Sequence, residues 1–244
     1  MIRILAMGLL ALTTSFAAVG QVRYGVQGSA QGSTIVASTD LSSLGAMLGK
    51  LSIPVGGRVA FRAGIMADIP VSDRLSVRPQ LLYSVKGGNA DVGRFISDLL
   101  NRFGFPPTTL PAGDYTSRVA INYLELPLEV VYGLDLGPGR LLVGAGPYAA
   151  LALGGTINGE AINFNTDGFR KADFGAIASL GYELPMGLVV SAYYSHGLTN
   201  ISRNPTPSIG TINPTNPTVN LDPSAFGGTL QNRAYGLTVG YFIN

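Results

Sequence analysis

No cysteine occurs among the 244 residues, so the chain can form no disulfide and carry no thioether-linked lipid at its amino terminus. Tryptophan is also absent and histidine occurs once, at His196. No His/Cys/Asp cluster has metal-ligand spacing, so no metal site is expected. Charged residues amount to 12%, about half the usual share of a globular chain. Beyond the extreme amino terminus there is also no run of the roughly 18 to 20 apolar residues that a membrane-spanning helix needs. Glycine, by contrast, is abundant at 33 residues, and mean hydropathy is positive. A membrane-leaning composition without spanning helices leaves strands as the way across.

The first twenty residues are set apart from the rest. One cation, Arg3, precedes an apolar stretch from Ile4 to Phe16, and Ala18 and Gly20 are spaced for cleavage before Gln21. This pattern is that of a secretory signal, with an uncleaved anchor as the alternative. The expected organisation is therefore a leader over 1–20 and a single domain over 21–244. Loss of Arg3 leaves 15 basic against 14 acidic residues, so the sequence pI of 8.9 points to no nucleic-acid partner.

Period-2 alternation runs through the remainder. In INYLELPLEVVYG (121–133), Pro127 opposes a helix at a cost of roughly 3 kcal/mol. On a strand, Leu124, Leu126, Leu128, Val130 and Tyr132 share one face, whereas Tyr123, Glu125, Pro127, Glu129 and Val131 share the other. The same division recurs in 58–69, 74–86, 172–184, 188–198 and 232–244, with weaker examples near 22–34 and 140–153. That makes eight strands. Short turns at 70–73, 135–139 and 185–187 alternate with long segments at about 37–57, 87–116, 154–171 and 201–231. The expected fold is all-β: an eight-stranded antiparallel up-and-down transmembrane β-barrel with short periplasmic turns and long extracellular loops. A soluble barrel around an apolar ligand is the rival, but it needs a water-loving outer face. The polar face here is largely Gly, Ser and Ala with scattered charge, which suits a narrow interior.

Two sets of residues follow from that parity. Phe61, Tyr83, Tyr132, Phe174, Tyr182, Tyr194 and Tyr241 fall on the apolar face near strand ends, where lipid-interface aromatics gather. Arg58, Arg62, Arg74, Arg78, Glu125, Glu129, Asp173 and Glu183 fall on the inward face, with both signs represented. Unpaired charges there are costly, so a cross-barrel ion-pair network is expected, with Arg62 and Arg78 opposite Glu125 and Glu129. Such a network would close the lumen of an eight-stranded barrel.

Other chemistry is sparse. Ser195 and His196 are adjacent on a strand and point to opposite faces, so no catalytic pair is expected. The GAG at 144–146 has no following helix and reads as close strand packing, not a phosphate cradle. No catalytic, cofactor-binding or metal residues are assigned. In the second long segment, Val92, Phe95, Ile96, Leu99, Leu100 and Phe103 recur at helical spacing between a capping Asp91 and Gly104, predicting a short amphipathic helix over the barrel rim or for a partner. Leu41, Leu44, Leu48 and Leu51 form a weaker stripe, and the Asn-, Pro- and Thr-rich last segment predicts an extended loop.

The segments FRAGIMADIPVSDRLSVRPQLLYSVKGG, INYLELPLEVVYG, GPYAALALGG, ADFGAIASLGYELPMGLVVSAYYSHGLTNI and GLTVGYF resemble the PorT-type outer-membrane β-barrel family of Bacteroidota. The most specific pieces are Tyr-Leu-Glu-Leu-Pro (123–127) and Tyr-x-x-Gly-Leu (194–198). The resemblance implies an eight-stranded barrel in the outer membrane of a diderm bacterium. It says less about activity, since one branch of the family assists secretion and the class is defined by structure. The chain departs from the common pattern by ending in Ile243 and Asn244, not an aromatic. The expected role is non-enzymatic, structural in the envelope or within a membrane complex, with outer-membrane lipid and envelope or secretion-complex proteins as partners, no cofactor and a monomeric barrel. The alternatives are a lipid-processing enzyme, for which His196 is the candidate, and a surface binding module or narrow pore.

Overall fold

The protein is described by a computed structural model over residues 21–40, 50–53, 55–91, 97, 116–203 and 229–243. The expected leader, the stripe Val92, Phe95, Ile96, Leu99, Leu100 and Phe103, the residues 41–49 and the loop 204–228 lie outside the described residues. In chain order the strands are β1 (Arg23–Asp40), β2 (Lys50–Ile53), β3 (Val55–Gly56), β4 (Arg58–Pro70), β5 (Leu75–Asp91), β6 (Thr116–Leu136), β7 (Gly139–Ile157), β8 (Glu160–Ala161), β9 (Ala172–Glu183), β10 (Leu188–Gly197) and β11 (Thr229–Ile243). Eight of them, β1, β4, β5, β6, β7, β9, β10 and β11, pair antiparallel with their neighbours in sequence. Closure is made by β1 against β11, from Tyr24 opposite Ile243 to Ser38 opposite Thr229. The result is the eight-stranded up-and-down barrel. Closure removes both sheet edges, which no open sheet of this length does.

Side-chain direction follows the alternation. Along β6 the residues from Ile121 to Val131 at odd positions are buried, and the even positions from Leu126 to Leu136 are exposed. Leu126 is 55% exposed and its neighbour Glu125 only 2%. The same inversion of the soluble-protein pattern holds on β11, where Tyr235, Leu237, Val239, Tyr241 and Ile243 face out and Asn232, Ala234, Thr238 and Phe242 face in. An outward surface of this kind is stable only against lipid.

Several strands are longer than the alternation predicts. β1 is 18 residues, β6 is 21 and β7 is 19. At about 3.3 Å per residue and a tilt near 40°, β6 rises roughly 50 Å, about twice the apolar band of such barrels. Its outward residues change accordingly: Arg118 and Asn122 near the start, then an unbroken apolar row from Leu124 to Leu136. Part of what reads as loop in the sequence, 87–91 and 154–157, is thus strand continuing past the apolar band. Leu51, expected on the weak helical stripe, sits instead on β2, opposite Thr39 of β1.

The turns are built by local chemistry. Asn158 (φ 52°) and Gly159 (φ 93°) both adopt the left-handed conformation that the two-residue turn between β7 and β8 requires. Gly187 (φ 83°) serves the turn before β10. Tyr182 clamps the turn between β6 and β7: its hydroxyl donates to the Leu136 carbonyl at 2.7 Å and accepts from the Gly139 N–H at 3.0 Å. A bulge at Asn122/Tyr123 shifts the β6–β7 register. Beyond it Ile157 turns inward and packs against the core of the loop end.

Candidate functional site: a charged and aromatic lumen

The interior is layered from the loop end to the turn end. At the loop end the chain folds back into its own mouth. Ile162, Phe164 and Phe169, from the segment after β8, are buried with Ile201, Val119, Ile121 and Leu230. The Arg170 N–H donates to Ile201 O at 2.8 Å, the Arg203 N–H to Gly168 O at 2.7 Å and the Ile201 N–H to Leu230 O at 2.9 Å, which holds the segments 162–170 and 198–203 together. The sequence offers one signal for this plug, apolar Ile162, Phe164 and Phe169 in an otherwise polar stretch, too irregular for a period.

Below the plug lies a balanced quartet of charges. Lys86 forms an ion pair with Glu125 and stands 3.9 Å from Asp173, while Arg62 stands 3.9 Å from Glu125. Inward-facing tyrosines surround it. The Lys86 ammonium lies 4.2 Å from the centroid of the Tyr148 ring, and the Arg62 guanidinium 4.0 Å from that of Tyr193. Tyr148 donates to Asp173 at 3.1 Å, and the Asn232 amide reaches both Asp173 at 3.0 Å and the Tyr123 hydroxyl at 3.2 Å. Buried charges of both signs are tolerable in this form, since each is paired and the aromatic faces add cation–π attraction.

Toward the turn end, Glu129 accepts from Gln80 at 2.6 Å and from Ser179. A Cβ added at Gly144 would stand 2.7 Å from that carboxylate, so the glycine of the GAG run makes room for it. A small chamber of about 30 Å³, lined by Gln27, Gln80, Glu129, Ser191 and Thr238 among others, has space for about two waters. At the last level Arg23 bridges Asp68, at 2.7 Å, and Glu183, and Arg78 bonds Asp68 at 3.0 Å. Phe242 lies beneath both guanidiniums, 4.4 Å from Arg23 and 5.1 Å from Arg78.

The expected inward set divides into several groups. Arg62, Arg78, Glu125, Glu129, Asp173 and Glu183 are buried in the lumen. Arg58 lies at the loop end, partly buried, and donates to the Val119 carbonyl at 3.3 Å. Arg74 is a correction: it is exposed in the 71–74 turn, because the strand begins only at Leu75. The expected bond between Arg78 and Glu129 is a second correction. Their backbones are paired, yet Arg78 reaches back to Asp68 and Glu129 is satisfied by Gln80 and Ser179. Arg23, Asp68, Lys86 and the three tyrosines were outside the expected network. Parity alone places Asp68 and Lys86 inward, but the weak alternation of β1 hides Arg23.

Phe61, Tyr83, Tyr132, Phe174, Tyr194 and Tyr241 are exposed on the outer surface, and Tyr182 faces the same way while clamping its turn. Phe61 and Tyr83 pack together at 5.8 Å between centroids. Ser195 is buried and points to the Ala234 carbonyl at 3.4 Å, whereas His196 faces out beside Tyr194, 3.5 Å from its hydroxyl. The two are not brought together. Among the described residues no group of His, Cys, Asp and Glu is arranged to hold a metal ion.

A closed ring of strands, apolar outside and ion-paired within, defines an integral β-barrel membrane protein. The family model described as outer membrane protein beta-barrel domain matches residues 14–203, and the chain belongs to that family. It is an integral barrel of the outer membrane. No curated protein matches the sequence. Among solved structures it is similar to Neisserial surface protein A, at 12% identity over 91% of this chain and 99% of that one, with a TM-score of 0.40. It is similar to the outer membrane protein OprG from Pseudomonas aeruginosa, at 10% identity over 91% and 94%, with a TM-score of 0.44. The outer membrane protein AlkL, solved in lipid bilayers, matches at 14% identity over 93% of each chain with a TM-score of 0.39.

Proposed function

We propose that the protein is a non-enzymatic barrel whose lumen is closed to solutes and which serves as a structural element of the envelope or as the membrane anchor of a complex. The observation that carries this reading is the buried quartet of Lys86, Glu125, Arg62 and Asp173 beneath the apolar plug, which fills the section where a channel would run. The short turns face the periplasm and the long segments the exterior, where they make contacts with protein partners. The Tyr-Leu-Glu-Leu-Pro segment supports a place in the PorT-type branch of Bacteroidota, and with it a secretion-associated complex. The barrel acts as a monomer and takes no cofactor. Separation of Ser195 from His196 disfavours acyl chemistry, and His196 does not line the small chamber beside Glu129.

The test is complementation of a deletion strain, scored by resistance of the envelope to detergent. Ser195→Ala and His196→Ala should restore resistance as well as wild type does, whereas a chain lacking 92–115 should insert and fail to restore it. Loss of complementation by His196→Ala, with normal barrel levels, would favour a lipid-processing enzyme instead.

A further inference from the structure

The outward ladders of β10 and β11 change character at the loop end. From Leu188 opposite Tyr241 to Tyr194 opposite Tyr235 the paired outward residues are apolar or aromatic, and the next outward pair is His196 opposite Arg233. Arg233 stands ten residues from Ile243 along β11, which at about 3.3 Å per residue and a tilt near 40° is a rise of roughly 25 Å, the height of the apolar band. It is therefore a cation at the edge of the band, where lipid headgroups begin. Among the described residues nothing neutralises it. Thr34 of β1 and His196 lie directly opposite, Gln231, Tyr235, Tyr194 and Leu198 flank it, and none of these is acidic. The Arg233 Nε is buried and takes no hydrogen bond, and His196 stands by the Tyr194 hydroxyl at 3.5 Å.

The charge farther out has the same sign. Above the ends of β9 and β10, the segments 160–171 and 198–203 carry Arg170, Lys171 and Arg203 against Glu160 and Asp167. Both Asp167 oxygens already accept hydrogen bonds, from the Asn163 N–H at 2.7 Å and the Thr166 hydroxyl at 2.8 Å. On β1 the next carboxylate, Asp40, stands opposite Lys50 of β2. We propose that this sector of the outer wall binds the phosphate of a membrane lipid from the leaflet at the loop end, with the Arg233 guanidinium on the phosphate and the acyl chains along Tyr235, Leu237 and Val239. A guanidinium fork makes two parallel bonds to phosphate oxygens, and an anion there meets an otherwise unmatched charge. The three side chains below are each more than half exposed, on a face that only lipid can cover. A soluble phosphate gains nothing from that apolar row, so the ligand is a lipid. The inference needs only the integral barrel, not the closed lumen, and so stands apart from the proposed role.

The experiment uses the intact barrel in maltoside micelles, with bound lipid read as added mass by native mass spectrometry. The probes are phosphatidic acid, diacylglycerol with the same chains, and inorganic phosphate. Saturable binding of phosphatidic acid is expected, with binding of diacylglycerol at least tenfold weaker and no displacement by an equal concentration of inorganic phosphate. Arg233→Gln should weaken phosphatidic acid binding about tenfold, whereas Arg74→Gln, at the opposite end of the barrel, should leave it unchanged. Arg233→Lys keeps the charge without the fork and should weaken binding about threefold, a measurement that stands if Arg233→Gln does not fold. Equal binding of diacylglycerol would show that the apolar wall alone holds lipid, and displacement by equal inorganic phosphate would make a free anion the ligand. Either result, or unchanged binding in the folded Arg233 variants, would overturn the proposal.

Discussion

Neighbouring residues on one strand face different solvents here, and their substitutions are expected to fail for different reasons. Leu126 faces lipid near mid-membrane, so Leu126→Arg should cost roughly 2 to 4 kcal/mol of folding free energy, whereas Asn122→Arg, on the same face but nearer the rim, should cost about 0 to 1. Equal denaturation midpoints for the two variants, read from the heat-modifiable gel mobility of folded barrels, would contradict the depth assigned to β6. Inside, Lys86→Met removes the cation shared by Glu125 and Asp173 and should destabilise by about 3 to 5 kcal/mol. Adding Glu125→Gln removes one charge of each sign and should recover much of that loss. A double variant no more stable than the single one would show that the ion pair is not what holds the layer. Parity made the inward position of both residues legible in the sequence. Their partners were not, because a side chain as long as Arg78 can reach a diagonal carboxylate on either neighbouring strand.

At the scale of elements, what was legible tracks the membrane. Where one face of a strand meets lipid and the other the lumen, as from Leu124 to Leu136, alternation identifies the strand and its orientation. Where the strands run on past that band, the glycine pairs Gly87–Gly88 and Gly154–Gly155 interrupt the alternation, so the continuations over 87–91 and 154–157 read as loop. The inward-folded segment carries still less signal, because its burial depends on contacts with the distant residues 198–203 and 230. Phe169 is fully buried there, and Phe169→Ala should cost about 3 to 5 kcal/mol locally. Amide exchange of Ile201 and Arg203, bonded to Leu230 and Gly168, should accelerate in that variant while the amides of β9 and β10 remain protected. Unchanged exchange at those two amides would show that the plug does not depend on this side chain.

For the whole molecule the outstanding question is orientation and closure. Cysteine-free sequence makes the orientation simple to read. Single cysteines near 95, 165 and 215 should react with an impermeant thiol reagent on intact cells, and those near 72, 137 and 186 should react only after the outer membrane is breached. Labelling of the turn positions in intact cells would reverse the assignment. The closure we propose rests on the combination of an apolar plug and a paired quartet. Planar-bilayer recording of the purified barrel tests this most directly. The account predicts no stable conductance from the wild-type protein, and conductance that appears once Glu125→Ala and Glu129→Ala together dismantle the pairing around Lys86, Arg62 and Gln80. A large, steady conductance from the wild-type barrel would contradict it.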